Sequence, residues 1–87
     1  MVIYVIDPNT SVLTLKDGSV HVTRPTIMGK VAGHIIKSEY TAEAIALWLE
    51  TRHDLVQNVF PNMDAEDREF LMTGITPAEW NKMMGVK

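Results

Sequence analysis

Asp17-Gly18 stands between two runs that alternate apolar and polar residues, Val12-Leu13-Thr14-Leu15-Lys16 and Ser19-Val20-His21-Val22-Thr23. An Asp-Gly pair in that setting is a strong short-range hairpin signal, because both residues accept the positive φ that a tight turn demands. A two-residue turn sets Lys16 opposite Ser19, Leu15 opposite Val20, Thr14 opposite His21 and Leu13 opposite Val22. Leu13, Leu15, Val20 and Val22 then share one face, while Thr14, Lys16, Ser19, His21 and Thr23 share the other. The spacing predicts an antiparallel sheet that buries those four aliphatic residues together and leaves His21 at the surface.

Another strand is expected before the hairpin. Val2-Ile3-Tyr4-Val5-Ile6 is β-branched and aromatic, and it stops at Asp7-Pro8-Asn9-Thr10, where every position has turn chemistry. Both of its faces are apolar, which predicts cover on both, from the sheet or from another protein. After Arg24-Pro25 the pattern divides. Ile27, Met28, Val31, Ala32, Ile35 and Ile36 recur at helical spacing. Against that, Gly29 and Gly33 would each cost about 1 kcal/mol inside a helix, and the β-branched residues favour a strand. The periodicity favours a helix here, with a fourth strand as the alternative.

The second half reads as helices. Thr41 is an N-cap with Glu43 in the first turn, and residues 42–59 contain no breaker before Pro61-Asn62. Ile45, Trp48, Leu49, Val56, Val59 and Phe60 form the stripe of this predicted helix. Asp64 caps a second over residues 65–72, whose opening turns hold Glu66, Asp67 and Glu69 and whose stop is Thr73-Gly74. Thr76-Pro77-Ala78-Glu79 joins a capping box to a proline at the first helical position, opening a last helix over residues 77–84 with Trp80, Met83 and Met84. Ile45, Leu49, Val56, Phe60, Phe70 and Trp80 are the expected centre of the core. The expectation is an α+β fold in one domain over residues 1–87: an N-terminal antiparallel β-hairpin sheet of about three strands within 1–25, then a mainly helical part over 26–87.

With 46% apolar residues the chain has enough to build one small core. It has no cysteine, which removes disulfides, zinc-thiolate sites and a thiol nucleophile. No apolar run approaches the ~18 residues of a membrane span, and the first residues lack a basic leader and a small-residue cleavage site. A soluble cytoplasmic protein with no membrane partner is expected. The net charge of −3 is unevenly spread: residues 1–38 carry +2 and residues 39–87 carry −5. Such a split favours attraction between copies or docking of the acidic half on a basic partner.

The candidate chemical groups are sparse. His21, His34 and His53 fall on three different elements, and none has a second ligand at helical or strand spacing, so no metal or cofactor is expected. Asp64, Glu66, Asp67 and Glu69 resemble a calcium loop in composition but lack its glycine and its distal glutamate, and helix N-terminal electrostatics accounts for them. Gly29-Lys30 is followed by Val31 where a phosphate loop needs Ser or Thr. A weaker anion site remains open, with Arg24, Lys30, His34 and Lys37 on one face and Gly29 and Gly33 allowing close backbone approach. The pair of helices around Thr73-Gly74-Ile75 suggests a helix-turn-helix, but Glu79, Asn81 and Lys82 on the second and the carboxylates on the first would repel phosphate, so direct nucleic-acid binding is disfavoured.

Val56-Gln57-Asn58-Val59-Phe60-Pro61-Asn62, Asp64-Ala65-Glu66-Asp67-Arg68-Glu69-Phe70-Leu71, Thr73-Gly74-Ile75-Thr76-Pro77 and Trp80 together resemble a C-terminal module of small uncharacterised bacteriophage proteins. That resemblance covers about a third of the chain, carries no activity or site residue, and implies a phage or prophage protein acting in a bacterial cytoplasm. The reading that follows is a non-enzymatic phage-type interaction protein, as would suit an inhibitor of a host defence or nucleic-acid-handling system. Its expected host-protein contacts are Asp64, Glu66, Asp67, Glu69, Met72, Met83 and Met84, methionine being adaptable to irregular partner surfaces. A homodimer is expected from the doubly apolar first strand. The alternative is a small-ligand or nucleotide-binding oligomer that uses Arg24, Lys30, His34 and Lys37. A small DNA-binding regulator ranks third.

Overall fold

The structure is a computed structural model that describes residues 3–26, 29–76, 78–79 and 82. Four antiparallel strands come first: β1 (Ile3–Asp7), β2 (Thr10–Thr14), β3 (Val20–Pro25) and β4 (Val31–Ile36), in the sheet order β1-β2-β3-β4. Helices α1 (Ala42–Thr51), α2 (Val56–Val59) and α3 (Ala65–Thr73) follow. The α+β arrangement matches the expectation, with a fourth strand where the helical periodicity of residues 26–37 pointed elsewhere.

Glycine placement explains that strand. Gly18 has φ +90° and its N–H donates to the Leu15 carbonyl, while the Leu15 N–H donates to the Ser19 carbonyl. This is a three-residue hairpin loop, a turn completed by a residue in the left-handed region. The next connection repeats it: Gly29 has φ +87°, its N–H donates to Thr26, and the Thr26 N–H donates to Lys30. Gly29 is therefore a turn residue and not a helix interior, and the β-branched residues beyond it extend as β4. Gly33 lies within β4, where a Cβ would stand 2.8 Å from the His21 Nε2 atom.

The extra loop residue moves the β2–β3 register by one from the two-residue turn. Val12 pairs with Val22, Leu13 with His21 and Thr14 with Val20. A one-residue slip exchanges the two faces. The expected set of Leu13, Leu15, Val20 and Val22 is thus divided. Val12, Val20 and Val22 are buried on the inner face, whereas Leu13 points outward with His21, and Leu13 and Leu15 are both half-buried.

α1 begins at Thr41, whose hydroxyl accepts the Ala44 N–H at 3.1 Å. The single helix expected over 42–59 is instead two pieces, broken at Arg52 with φ 48°. The Trp48 indole N–H donates to the Asp54 carbonyl at 2.9 Å and secures the turn. An unbroken helix of that length would run about 27 Å, beyond the roughly 17–20 Å of a typical strand, so Val56 and Phe60 reach the core only if the chain turns. Their burial, with Ile45, Leu49, Phe70 and Leu71 packed on Val12, Val20, Val22 and Ile36, forms the core on the inner face. Val59 of the expected stripe is exposed. Trp80, Met83 and Met84 lie outside the described residues.

α3 ends at Gly74, φ 81°, as its sequence announces. A Cβ at Gly74 would meet the Pro25 carbonyl oxygen at 2.6 Å, so the helix end sits directly on the end of β3. The capping box also forms: the Glu79 carboxylate accepts from the Thr76 N–H at 3.2 Å, and the Thr76 hydroxyl accepts from the Glu79 N–H at 3.2 Å.

Candidate interaction surfaces

All three helices lie over the inner face of the sheet, and the outer face carries Ile3, Val5, Val31 and Ile35, each 47–69% exposed. The register sets Ile3, Leu13, His21 and Ile35 in one row across the face and Val5, Ser11, Thr23 and Gly33 in the next, with Val31 opposite Pro25. None of those positions is a carboxylate, lysine or arginine, and His21 is the titratable group among them. Opposite Thr23, Gly33 leaves a low place over which the His21 ring lies. The result is a sheet surface with aliphatic residues along both outer strands, Ser11, His21 and Thr23 between them, and no carboxylate, lysine or arginine at those positions.

Two grooves flank the helices. One, of about 220 Å³, runs between β1 and α1 and is walled by Tyr4, Val5 and Ile6 on the strand and by Glu43, Ala46, Leu47 and Glu50 on the helix. The other, about 330 Å³, separates α2 from α3 and includes Val56, Gln57, Arg68, Glu69 and Met72.

The sequence-derived candidates fall in several places. On α3, Asp64, Glu66 and Met72 are exposed, Glu69 is half-buried, and Asp67 is buried. The Asp67 carboxylate lies 2.6 Å from His34 Nε2, whose ring also meets Phe70 at 5.0 Å between centroids. His34 and Asp67 thus tie β4 to α3 from within. Met83 and Met84 are outside the described residues.

Arg24, Lys30, His34 and Lys37 do not come together as an anion site. Arg24 is buried, and it donates from Nη1 to the Leu71 carbonyl at 2.7 Å and from Nε to the Pro25 carbonyl at 2.8 Å. The last carbonyls of a helix lack intrahelical partners, and a cation there complements the helix dipole, so Arg24 is a cap for α3. Desolvation by burial, and secondarily the charge of Arg52, lower its pKa from the ordinary arginine value. Lys30 is exposed in the β3–β4 connection. Lys37 borders an open cleft of about 390 Å³ with Asp17, Gly18, Ser19 and Ser38, where the carboxylate opposes an anion.

The outer face itself escaped sequence reasoning because the β2 run is apolar at both alternations, Val12 and Leu13 being neighbours. The signal that would have found it is the third loop residue, Lys16, ahead of Asp17-Gly18. Among the described residues, no group of three or more His, Asp or Glu is placed to hold a metal ion, and no helix is long and apolar enough to cross a membrane. No protein-family model, curated protein or solved structure matches this chain.

Proposed function

We propose that this is a non-enzymatic interaction protein of phage type, which binds a host protein and so blocks a defence or nucleic-acid-handling system in the bacterial cytoplasm. The observation that supports an interaction role is the one-sided sheet: Ile3, Val5, Val31 and Ile35 stand exposed on an outer face whose paired positions include no carboxylate, lysine or arginine. Exposed aliphatic surface of this kind on a small protein marks an interaction site. The phage origin rests on the resemblance of residues 56–84 to small bacteriophage proteins.

A homodimer belongs to the same reading. Two copies meeting through their outer faces cover all four aliphatic residues of each, and a self-complementary contact requires no opposite charge. The helices of both copies then face outward, presenting Asp64, Glu66, Glu69 and Met72 to the host protein. Sedimentation equilibrium at micromolar concentration should find twice the 9.8 kDa chain mass. Val5→Lys combined with Ile35→Lys should return a monomer. Affinity capture from a bacterial lysate should retain one host protein in stoichiometric amount, and Asp64→Lys with Glu66→Lys should weaken its retention. A wild-type protein that retains no host protein under any salt condition would refute the function.

The ligand-binding alternative draws no support from the placement of Arg24 and His34, both of which are engaged with α3.

A further inference from the structure

We infer that the free edge of β1 and the adjoining flank of α1 form a strand-addition site for an extended, basic and aliphatic segment of a partner protein. The inference rests on the interaction reading above and adds to it the segment that is recognised.

Among the described residues, β1 is hydrogen-bonded to β2 alone. Alternate N–H and C=O groups on the other side of an edge strand point away from the sheet and template a further strand. Edges are commonly blunted by lysine, proline or a bulge. Ile3, Tyr4, Val5 and Ile6 include neither residue type, and the register shift lies after Val5, toward Asp7. Beside this edge rises α1, giving a groove with one strand wall and one helix wall. Extended peptides are held in such settings by main-chain pairing to the strand, with alternate side chains supplying specificity.

The helix wall defines what those side chains must be. Glu43, Leu47 and Glu50 are spaced i, i+4 and i+7, along one helix face. Leu47 is 60% exposed on the helix wall, and half-buried Tyr4 and Ile6, which face the inner side of β1, line the strand wall. The charged residues lining the groove are Glu43 and Glu50, and no lysine or arginine joins them among the described residues. An occupant therefore needs an extended backbone, an aliphatic side chain toward Leu47, and Lys or Arg toward the two glutamates. Seven helical residues span about 10.5 Å. Strand residues two or four apart span roughly 7 or 13 Å, which sets the spacing of the two cations. A second copy fits poorly. Its own aliphatic edge strand, β4, is bracketed by Lys30 and Lys37, which in an extended chain lie about 23 Å apart, twice what the glutamates require.

Panning a random heptapeptide display library against the whole protein tests the site. The wild type should enrich aliphatic peptides that carry two Lys or Arg residues two or four positions apart, and Glu43→Lys with Glu50→Lys should turn the enrichment to Asp and Glu. A selected peptide should shift the backbone amide resonances of residues 3–6 and 43–50, and Leu47→Asp should weaken it about tenfold or more with the melting temperature unchanged. Overturning results are no enrichment over an unrelated protein, a charge preference that ignores the double substitution, or resonance shifts confined to other elements. If Leu47→Asp and the double variant retain a captured host protein as well as wild type does, the site assignment fails and the interaction function stands. If cationic peptides are selected but no host protein is captured, the site stands and the function fails.

Discussion

The two faces of the sheet are built from the same residue types and meet opposite fates. On the inner face Val12, Val20, Val22 and Ile36 are sealed beneath the helices, while on the outer face Ile3, Val5, Val31 and Ile35 remain about half exposed or more. Hydrophobicity does not separate the two sets. Loop length does so for β2, because a three-residue connection at Lys16-Asp17-Gly18 pairs Leu15 with Ser19 and so turns Val12 inward in place of Leu13. A sheet apolar on both sides carries a second surface that folding leaves unused, and such a surface is available for association.

The comparison can be broken most forcefully from the inner side. Phe70 is fully buried against that face, and Phe70→Ala should cost about 3–5 kcal/mol, measured by urea or thermal unfolding. Unchanged stability would remove it from the core. A matched pair is sharper still. Val22→Ala should cost about 1.5–3 kcal/mol, whereas Val5→Ala should change the stability of the monomer by less than about 0.5 kcal/mol. Equal losses would mean that the outer face is also sealed within one chain.

Loop substitutions probe what sets the register. Gly18→Ala forces a Cβ into the left-handed region in open space, with no steric neighbour within 4 Å, so its cost should be the conformational one, about 1–2 kcal/mol. Deleting Lys16 leaves Asp17-Gly18 as a two-residue loop between the same partners, and should alter stability by less than about 1 kcal/mol. Hydrogen exchange should still protect the Val12, Val20 and Val22 strands in their present pairing; a register moved by one residue would contradict the loop argument.

The smallest effect is electrostatic. The Ser19 hydroxyl and then the Ser19 N–H donate to the Asp17 carboxylate and hold its pKa below the ordinary 3.8. A carboxyl whose pKa is lower in the folded state stabilises above the unfolded value and loses that contribution as pH falls through the folded one. Asp17→Asn should therefore flatten the stability profile only below about pH 4. A difference between the two proteins that grows as pH falls below about 4 would reverse the assignment. The group is fully exposed, so the change should be slight.

Local hydrogen bonds were the legible part of the fold. Thr41 with Ala44, Thr76 with Glu79 and the left-handed stop at Gly74 each involve residues within four positions of one another, and side-chain type alone announces them. Phe60 and Phe70 were legible as core for a similar reason, since each sits on the apolar stripe of its own helical segment. The candidate surface was less legible. The acidic residues of α3 could be named, but not that Asp67 would turn inward to His34 while Asp64 and Glu66 stayed exposed.

Residue type and spacing were sufficient for the α+β order, the caps at Thr41 and Thr76 and the presence of a hairpin at Asp17-Gly18, because those are decided within a few residues of chain. Tertiary packing decided the rest. Arg24 binds a carbonyl 47 positions away and His34 a carboxylate 33 positions away, partners that no local pattern encodes. Likewise the break at Arg52 answers the size of the sheet below it, and the burial of Val12 in place of Leu13 answers a register in which both alternations were apolar. Where two choices bury equal hydrophobic area, only the global geometry that closes the loop and seats the helices can select between them.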